Sequence, residues 1–304
     1  MFDGDHIDPG TVWRDVIQTD TSPVTQIPLI VVKGAHEGST LLVTAGVHGA
    51  EYASIEAGIR LAQIDPQTVS GTLIVLPIVN QPSFAARSIY VNPLDGKNLN
   101  RVFPGKADGT FAEQLAFWLT HTFIAHADAY IDLHGGDLNE ALTPFVIYAE
   151  GDREAERYAH LFGLQNVIAS SSAGSSYSAG HMLGVPSILA EAGGQGQFSE
   201  SDVSLLVTGV QRVMRSREML PGTLDPVETT SYQEFCWLRA HHAGLWYLET
   251  AVGDTVEANQ RVGVIKDFHG DIVHEAVSPV SGKVLFAVAS LAINDGDPLV
   301  GIGA

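Results

Sequence analysis

The feature that most constrains the fold is an alternation of short apolar runs with amphipathic stretches, which continues to about residue 220. Strands separated by helices need crossover connections, and such strands form a sheet that helices cover on both faces. The predicted strands are Pro28–Lys33, Thr40–Gly46, Thr72–Val79, Ala129–Leu133, Pro144–Ala149 and Pro186–Ala190. The predicted helices are Ala50–Ile64, Phe111–Ile124, Arg153–Phe162 and Glu200–Met219. The pattern therefore predicts an α/β fold with a mostly parallel or mixed central sheet flanked by helices.

The alternation stops at Pro221–Pro226, where two prolines and a glycine prevent a helix and indicate a linker. Helical periodicity is absent after it, and Gly, Asp and Pro turns separate short β-type runs. These runs are Gly244–Thr250, Arg261–Lys266, Gly282–Val288 and Pro298–Ile302. We expect an α/β domain at residues 1–221 and a small all-β domain at residues 226–304.

The charge balance excludes two classes of partner. Sixteen basic residues against 35 acidic ones give a net charge of −19, so phosphate neutralisation on nucleic acid and attraction to an anionic membrane are both unfavourable. No apolar run approaches the ~18 residues of a membrane span, and the N-terminal residues do not have the pattern of a signal peptide. With Cys236 as the single cysteine, we expect a soluble, cytoplasmic protein.

A candidate metal site begins where the second predicted strand ends. His48 and Glu51 follow that strand with three-residue spacing as a helix is expected to start, which places both side chains on one helical face. Imidazole and carboxylate groups are zinc ligands. Alone, the pair would be interpreted as an ordinary loop histidine and an acid favoured by the helix dipole.

Two further residues follow predicted strands in the same manner. His134 comes after Ala129–Leu133, and Glu191 comes after Pro186–Ala190. Ligands of open α/β sheets bind beyond the carboxyl ends of the strands, so these residues are expected to meet His48 and Glu51. Two histidines and one glutamate would hold one Zn²⁺ with a position open for water, and Glu191 would take the proton from that water. Otherwise Glu191 would be a salt-bridged surface acid.

A long polar loop between these ligands contains Arg87 and the pair Asn100-Arg101. Loops of this length are usually functional or mobile, and arginine binds carboxylates bidentately. We therefore expect Arg87 and Arg101 to bind an anionic substrate group or a developing oxyanion, the alternative being that they are solvated loop residues.

Four motifs in order resemble one protein family: HGAE at His48–Glu51, NLNR at Asn98–Arg101 with Phe103-Pro104-Gly105 after it, DLH ending at His134, and EAGG from Glu191. The chain resembles the succinylglutamate desuccinylase/aspartoacylase family, zinc deacylases that are related in fold to the zinc carboxypeptidases. Nearly the whole chain is covered, since that family also has a C-terminal β-domain.

The resemblance implies roles for the matching residues. The two histidines and Glu51 would bind zinc, and Glu191 would be the general base that later protonates the leaving amine. Arg87 would polarise the scissile carbonyl, while Asn100 and Arg101 would hold the α-carboxylate of an N-acyl amino acid. The implied reaction is hydrolysis of a linear amide by a metal-activated water.

One departure from the family bears on the acyl group. Members that cleave acyl groups with a second carboxylate hold it with an arginine ahead of the catalytic glutamate, but no Lys or Arg lies between Arg157 and Arg212. An unpaired buried carboxylate is costly, so a small neutral acyl group, acetyl, is predicted. Tyr177 is a candidate pocket residue in an expected loop. Asp137 would receive a cationic side chain, as similar acetyl-diaminobutyrate deacetylases require.

The C-terminal region resembles a barrel-sandwich of the biotinyl/lipoyl type at Val252–Val256 and Ser278–Val284. The hairpin around Lys266 has neither methionine that flanks a modified lysine, so we expect no biotin or lipoate there.

Two alternatives to the amidohydrolase stay open on sequence alone: a carboxypeptidase-type peptidase and a non-catalytic metal- or ligand-binding relative. The expected partner is a small N-acyl amino acid, and assembly into a homo-oligomer is compatible with the sequence.

Overall fold

The structure is a computed structural model that describes residues 6–304. Strands in chain order are β1 (Thr11–Gln18), β2 (Gln26–Lys33), β3 (His36–Ala45), β4 (Ser70–Leu76), β5 (Ala129–His134), β6 (Glu140–Leu142), β7 (Phe145–Ala149), β8 (Asn166–Ser170), β9 (Ser187–Glu191), β10 (Thr230–Tyr232), β11 (Phe235–Arg239), β12 (Gly244–Leu248), β13 (Thr255–Val256), β14 (Arg261–Lys266), β15 (Ile272–Val277), β16 (Gly282–Val288), β17 (Ala292–Ile293) and β18 (Pro298–Gly303). The α-helices are α1 (Tyr52–Arg60), α2 (Gln81–Ala86), α3 (Phe111–Thr122), α4 (Arg153–Phe162), α5 (Ser176–Met182) and α6 (Glu200–Ser216).

The large sheet has nine strands in the order β1-β2-β4-β3-β5-β9-β7-β8-β10. Three neighbouring pairs, β1–β2, β2–β4 and β7–β9, are antiparallel, and the other five pairs are parallel. The mixed α/β sheet predicted from the sequence is confirmed, and all six predicted strands are present with ends shifted by a few residues.

Helices cover both faces of this sheet, as predicted. One hydrophobic cluster joins the sheet to α1, α4 and α6 through side chains such as Ala57, Tyr158 and Val210. A second cluster joins the opposite face to α3 through Phe111, Leu115 and Leu119. Because helices bury both faces of the sheet, the central strands consist almost entirely of apolar residues.

Two predictions of local structure were wrong. The predicted helix at 50–64 begins only at Tyr52, because Glu51 is its N-cap, and it gives way to a 3₁₀ turn after Arg60. The Ser/Gly-rich segment expected to be a loop contains α5, which begins after Ser175, whose side chain accepts a hydrogen bond from the Ser178 amide at 3.4 Å.

The C-terminal region folds as two antiparallel sheets, β11-β18-β16-β13 and β15-β14-β12-β17, packed around their own hydrophobic cluster. This agrees with the predicted all-β region. Two strands cross the predicted boundary: β6 pairs with β16, and β10 pairs with β8 in the large sheet. The division at residues 221–226 stays a prediction.

Within residues 6–304, no helix has both the length and the apolar character needed to cross a membrane.

Candidate functional site

The site lies at the carboxyl ends of three adjacent strands. The order β3-β5-β9 places the ends of the three predicted strands side by side, and His134 is the direct register partner of Glu191. This is the sheet edge where the strand rule locates ligands, so the sequence correctly placed these residues together.

His48, Glu51 and His134 form a compact cluster whose potential ligand atoms all lie within 4.8 Å of one another. Glu51 lies between the two imidazoles, with Oε1 2.6 Å from His48 Nδ1 and Oε2 2.9 Å from His134 Nδ1. Nδ1 of His134 is buried and makes no hydrogen bond in the described structure. Two nitrogens and a carboxylate around one point match the ligand set of a divalent metal such as zinc.

A glycine-dependent turn positions the first two residues of the cluster. His48 and Glu51 precede α1 rather than occupying its first turn, which corrects the expected helical placement. Gly46 has a φ of +63°, and a Cβ on Gly49 would lie 2.1 Å from the Phe84 amide nitrogen. Glycine is therefore required where this turn passes the start of α2.

Each histidine is oriented by a hydrogen bond on its Nε2 atom. Nε2 of His48 lies 2.9 Å from Asn98 Oδ1, and Nε2 of His134 lies 2.9 Å from Asp132 Oδ2. Partners of this kind fix the tautomer and ring orientation of metal-ligating histidines. Both Nδ1 atoms are thereby left to face Glu51.

Asp132 is itself held by a buried network. Its Oδ1 accepts a 2.5 Å hydrogen bond from the Thr44 hydroxyl, and its Oδ2 also accepts one from Ser176 in α5. The Asp132 side chain has no solvent exposure. A charged carboxylate in such a place needs hydrogen bonds to offset its lost hydration, and these donors supply them.

The three clustered side chains shift one another's pKa values. Burial opposes ionisation, but His134 and His48 outweigh it and lower the pKa of Glu51 to about 2. Burial likewise lowers the pKa of each imidazole, yet Glu51 raises that of His48, and Glu51 with Asp132 raises that of His134 well above its usual value. An anionic glutamate that attracts protons onto two imidazoles would equally attract a divalent cation in place of those protons.

Glu191 ends β9 beside this cluster, and its carboxyl group makes no side-chain hydrogen bond within residues 6–304. Desolvation, followed by repulsion from Glu51, raises the pKa of its carboxyl group well above the ordinary value. A carboxylate with a raised pKa next to a candidate metal centre suits proton transfer near neutral pH.

Asn100 and Arg101 lie in a 3₁₀ turn against α5. Asn100 Oδ1 accepts a 2.8 Å hydrogen bond from the Ser176 amide, and Arg101 Nη1 donates to the Asn100 carbonyl at 2.8 Å. Part of Arg101 reaches solvent, but desolvation by the surrounding protein and repulsion from Arg239 lower the pKa of its guanidinium. Tyr177 and Glu191 favour the charged form of the same group, and the predicted role of Arg101 in substrate binding stays a prediction.

Arg87 lies apart from the clustered residues. It follows α2 with a φ of 53° and is exposed. With Tyr52, Phe84 and Phe198 it lines a cavity of ≈ 440 Å³. The structure shows no contact between Arg87 and the His–Glu–His cluster, and its predicted role at the carbonyl stays a prediction.

Tyr177 is buried in α5, and its hydroxyl donates a 3.0 Å hydrogen bond to Ser170 Oγ. Its predicted role as a pocket residue stays a prediction.

Asp137 lies in a buried acidic cluster that follows His134 in the chain. Its Oδ2 accepts a 2.9 Å hydrogen bond from the Tyr90 amide, and its own amide donates to Glu140 Oε2 at 2.7 Å. Desolvation and Glu51 raise the pKa of Asp137 to about 6, and desolvation raises that of Glu140 to about 8. The Tyr90 hydroxyl also lies in this cluster, and it interacts with the Glu140 carboxyl group. Two neighbouring buried carboxyl groups would favour a cation beside them.

Sequence reasoning named no roles for Asn98, Asp132, Tyr90 and Glu140. The role of Asp132 could have been predicted from the sequence, because it precedes His134 by two residues on a strand and its side chain therefore points to the same face. The contacts of Asn98 and Tyr90 could not have been predicted, because they depend on how the long loop folds.

The protein is an α/β protein with a candidate metal centre at the edge of its sheet. A His–Glu–His cluster and a further glutamate lie at the carboxyl ends of the strands there. The chain belongs to the succinylglutamate desuccinylase/aspartoacylase family, because the model of that family's catalytic domain matches residues 37–217. The resemblance inferred from the four motifs is confirmed.

Relatives of the chain include a curated enzyme and solved structures. The N-alpha-acetyl-L-2,4-diaminobutyric acid deacetylase of Halomonas elongata is 29% identical over 294 residues, which cover 92% of this chain and 84% of the relative. The product-bound structure of the ectoine utilization protein EutE (DoeB) from Ruegeria pomeroyi superposes with a TM-score of 0.87 at 25% identity, covering 98% of this chain and 97% of the other. A succinylglutamate desuccinylase/aspartoacylase structure from Rhodobacter sphaeroides gives 0.85 at 25% identity, with the same coverage. These relatives support hydrolysis of the amide bond of an N-acyl amino acid.

Proposed function

We propose that the protein is a zinc-dependent deacetylase that hydrolyses the amide bond of an N-acetyl amino acid. The observation that carries this proposal is the chelating arrangement of His48, Glu51 and His134, with Glu191 next to it at the same sheet edge. Family membership supports the reaction class.

The residues fit one zinc ion per chain. His134 Nδ1 is a buried nitrogen without a hydrogen bond, and Glu51 presents one oxygen to each imidazole. A bound zinc ion would supply Lewis-acid chemistry by lowering the pKa of a water molecule and polarising a carbonyl. The same ligands would accept cobalt or manganese.

Glu191 performs the proton transfers of the proposed reaction. Its carboxylate accepts a proton from the attacking water and then donates that proton to the nitrogen of the leaving amine, so the group returns to its starting state. Burial and repulsion from Glu51 raise its pKa, which makes the carboxylate a stronger base toward the water.

The polar residues around this centre provide substrate contacts. Arg101 and Asn100 bind the α-carboxylate, Tyr177 borders the acyl pocket, and Arg87 is assigned to the scissile carbonyl. No Lys or Arg occurs between Arg157 and Arg212 to neutralise an acidic acyl group, which supports acetyl over succinyl.

The buried acidic cluster of Asp137 and Glu140 supports a substrate with an ammonium side chain. Asp137 and Glu140 are both buried there with raised pKa values, and a bound ammonium would lower both. The curated relative acts on a diaminobutyric acid derivative, so N-acetyl-2,4-diaminobutyrate is the proposed substrate. A cytoplasmic location and a homo-oligomeric state stay predictions.

Amine release from a panel of acylated compounds, combined with metal analysis, tests the proposal. N-acetyl amino acids should be hydrolysed, with the diaminobutyrate derivative among the best, while N-succinyl amino acids and acylated dipeptides should be poor substrates. One zinc should bind per chain, and a chelator should abolish turnover that added zinc restores. Activity confined to dipeptides would show a carboxypeptidase-type peptidase, and a protein inert on the panel would contradict the proposal.

A further inference from the structure

A hydrogen-bond chain leads away from the outer nitrogen of each histidine of the metal cluster. Nε2 of His48 lies 2.9 Å from Asn98 Oδ1, and the same oxygen accepts a 2.8 Å hydrogen bond from the Asn100 amide. Nε2 of His134 lies 2.9 Å from Asp132 Oδ2. One chain therefore leads to Asn100 and the other to Asp132.

Ser176 joins these two chains through two different groups. Its backbone amide donates a 2.8 Å hydrogen bond to Asn100 Oδ1, and its side-chain hydroxyl donates to Asp132 Oδ2. Because the amide and the hydroxyl belong to one residue, a displacement of Asn100 and a displacement of Asp132 act on the same position of the backbone. The two metal-cluster histidines are thus connected by a continuous path of hydrogen bonds.

The residues at this junction are shielded from water. Ser176 and Asp132 have no solvent exposure, and Asn100 is 3% exposed. Buried hydrogen bonds are strengthened by the low local dielectric and make a network rigid when every member is satisfied. Removal of one partner leaves a buried donor or acceptor unsatisfied, which is costly. The junction is therefore suited to transmit a change of position from one side to the other.

The turn that contains Asn100 also packs on the segment before α5 through its main chain. The Phe103 amide donates a 3.0 Å hydrogen bond to the Gly174 carbonyl. A Cβ on Gly174, whose φ is +87°, would lie 2.6 Å from the Arg101 carbonyl oxygen, so this close approach requires glycine. Arg101, proposed above to bind the substrate carboxylate, thus belongs to a turn that is fixed against the start of α5.

The helix itself does not need the Ser176 hydroxyl. The N-cap of α5 is Ser175, whose side chain accepts the hydrogen bond from the Ser178 amide. The Ser176 hydroxyl instead bonds outside its own helix, to β5. Serine has weak helix propensity, so neither capping nor propensity explains this side chain, whereas the contact with Asp132 does.

We propose that Ser176 is a positioning residue that couples the substrate-binding turn to the metal centre. It holds Asn100 through its amide and Asp132 through its hydroxyl, so the position of the turn and the orientation of His134 are set together. The proposal rests on the function proposed above. Its consequence is that a carboxylate bound on the turn lies at a fixed distance from the metal, which places the neighbouring amide for attack.

The test is a double-mutant cycle on zinc affinity, measured by competition with a fluorescent chelator and therefore independent of turnover. Ser176→Ala removes the hydroxyl, keeps the amide and is combined with Asp132→Asn. The matched control is Ser178→Ala, which removes a hydroxyl of the same helix that donates to the Ser175 carbonyl at 2.8 Å. The thermal unfolding midpoint of each zinc-free variant shows whether it is folded.

Ser176→Ala should weaken zinc binding by ~10-fold, the lower end of the range for a residue that supports a metal ligand, because Thr44 still holds the Asp132 carboxylate. Added to Asp132→Asn, the same substitution should cause almost no further loss, since the hydroxyl acts through that carboxylate. Ser178→Ala should bind zinc as the wild type does. An unchanged affinity in folded Ser176→Ala, or losses that multiply in the double variant, would overturn the proposal.

Asn100→Ala tests the other side of the coupling, because Asn100 is outside the His–Glu–His cluster. The Ser176 amide loses its acceptor in this variant, so zinc affinity should fall by ~2–30-fold, the range for residues along a coupled network. Addition of Ser176→Ala should give less than the product of the two separate losses. Wild-type zinc affinity in folded Asn100→Ala would show that the turn and the metal centre are independent.

Failure of the proposed function gives a different result. A wild-type protein that binds zinc but hydrolyses no acylated amino acid would contradict the function, while the affinity cycle would still decide the role of Ser176. A wild-type protein without measurable zinc affinity would overturn both proposals.

Discussion

Oδ2 of Asp132 lies 2.9 Å from Nε2 of His134, two residues later on the same strand. This contact directs Nδ1 of His134 toward Glu51, where a metal would be held. Asp132 thus shapes the candidate metal centre without being one of its ligands.

Asp132→Asn should weaken zinc binding by ~10–100-fold, the range typical for loss of an oriented partner of a metal-bound histidine. The amide retains the shape but removes the charge that raises the basicity of the imidazole. Competition with a fluorescent zinc chelator measures the affinity. Asp128→Asn is the control, since that exposed carboxylate accepts only the Thr40 amide hydrogen bond. Equal affinities for all three proteins would contradict the assigned role.

Glu191→Gln should lower kcat by ~10²–10⁴-fold, which is the usual contribution of a general base. Zinc content should remain one per chain, because Glu191 is outside the His48–Glu51–His134 cluster. Turnover and metal analysis on the same preparation separate the two effects, with the exposed Glu150→Gln as the control. A variant that keeps its activity would rule out Glu191 as the base, and one that loses its zinc would make it a ligand.

The location of the metal-site candidates was predictable because it follows from a general property of sheets. His134 and Glu191 each end an apolar run. Because β3, β5 and β9 are neighbours in the sheet, the residues at their carboxyl ends lie close together. The match of four motifs in order made the family recognisable on the same residues.

Contacts made by the long loop and by the C-terminal strands were not predictable. Asn98 reaches His48 across 50 residues of sequence, and Phe235 of β11 contacts Phe145 of β7. Neither placement has a periodicity or spacing that marks it in the chain. The short α5 was missed because serine and glycine have weak helix propensity, and the burial of Tyr177 and Ala179 stabilises it instead.

Asp137→Asn should change substrate preference. If Asp137 receives an ammonium group, the variant should lose ~10-fold or more in kcat/KM for N-acetyl-2,4-diaminobutyrate, because a charge-assisted hydrogen bond is lost. Hydrolysis of N-acetylalanine should be nearly unaffected. The ratio of the two kcat/KM values is the readout, and it cancels any general loss of active protein. An equal loss on both substrates would contradict a cation-binding role.

Glu140→Gln should flatten the dependence of stability on pH. Burial raises the pKa of Glu140 from 4.5 to about 8 in the folded chain, so the folded state holds a proton that the unfolded state releases. The wild-type protein should therefore lose stability as pH rises from 4.5 to about 8, by on the order of a few kcal/mol. Glutamine accepts the same Asp137 amide hydrogen bond and does not titrate. Urea unfolding of chelator-treated protein at pH 5 and pH 8.5 measures the difference, and parallel losses in both proteins would show that Glu140 does not titrate in this window.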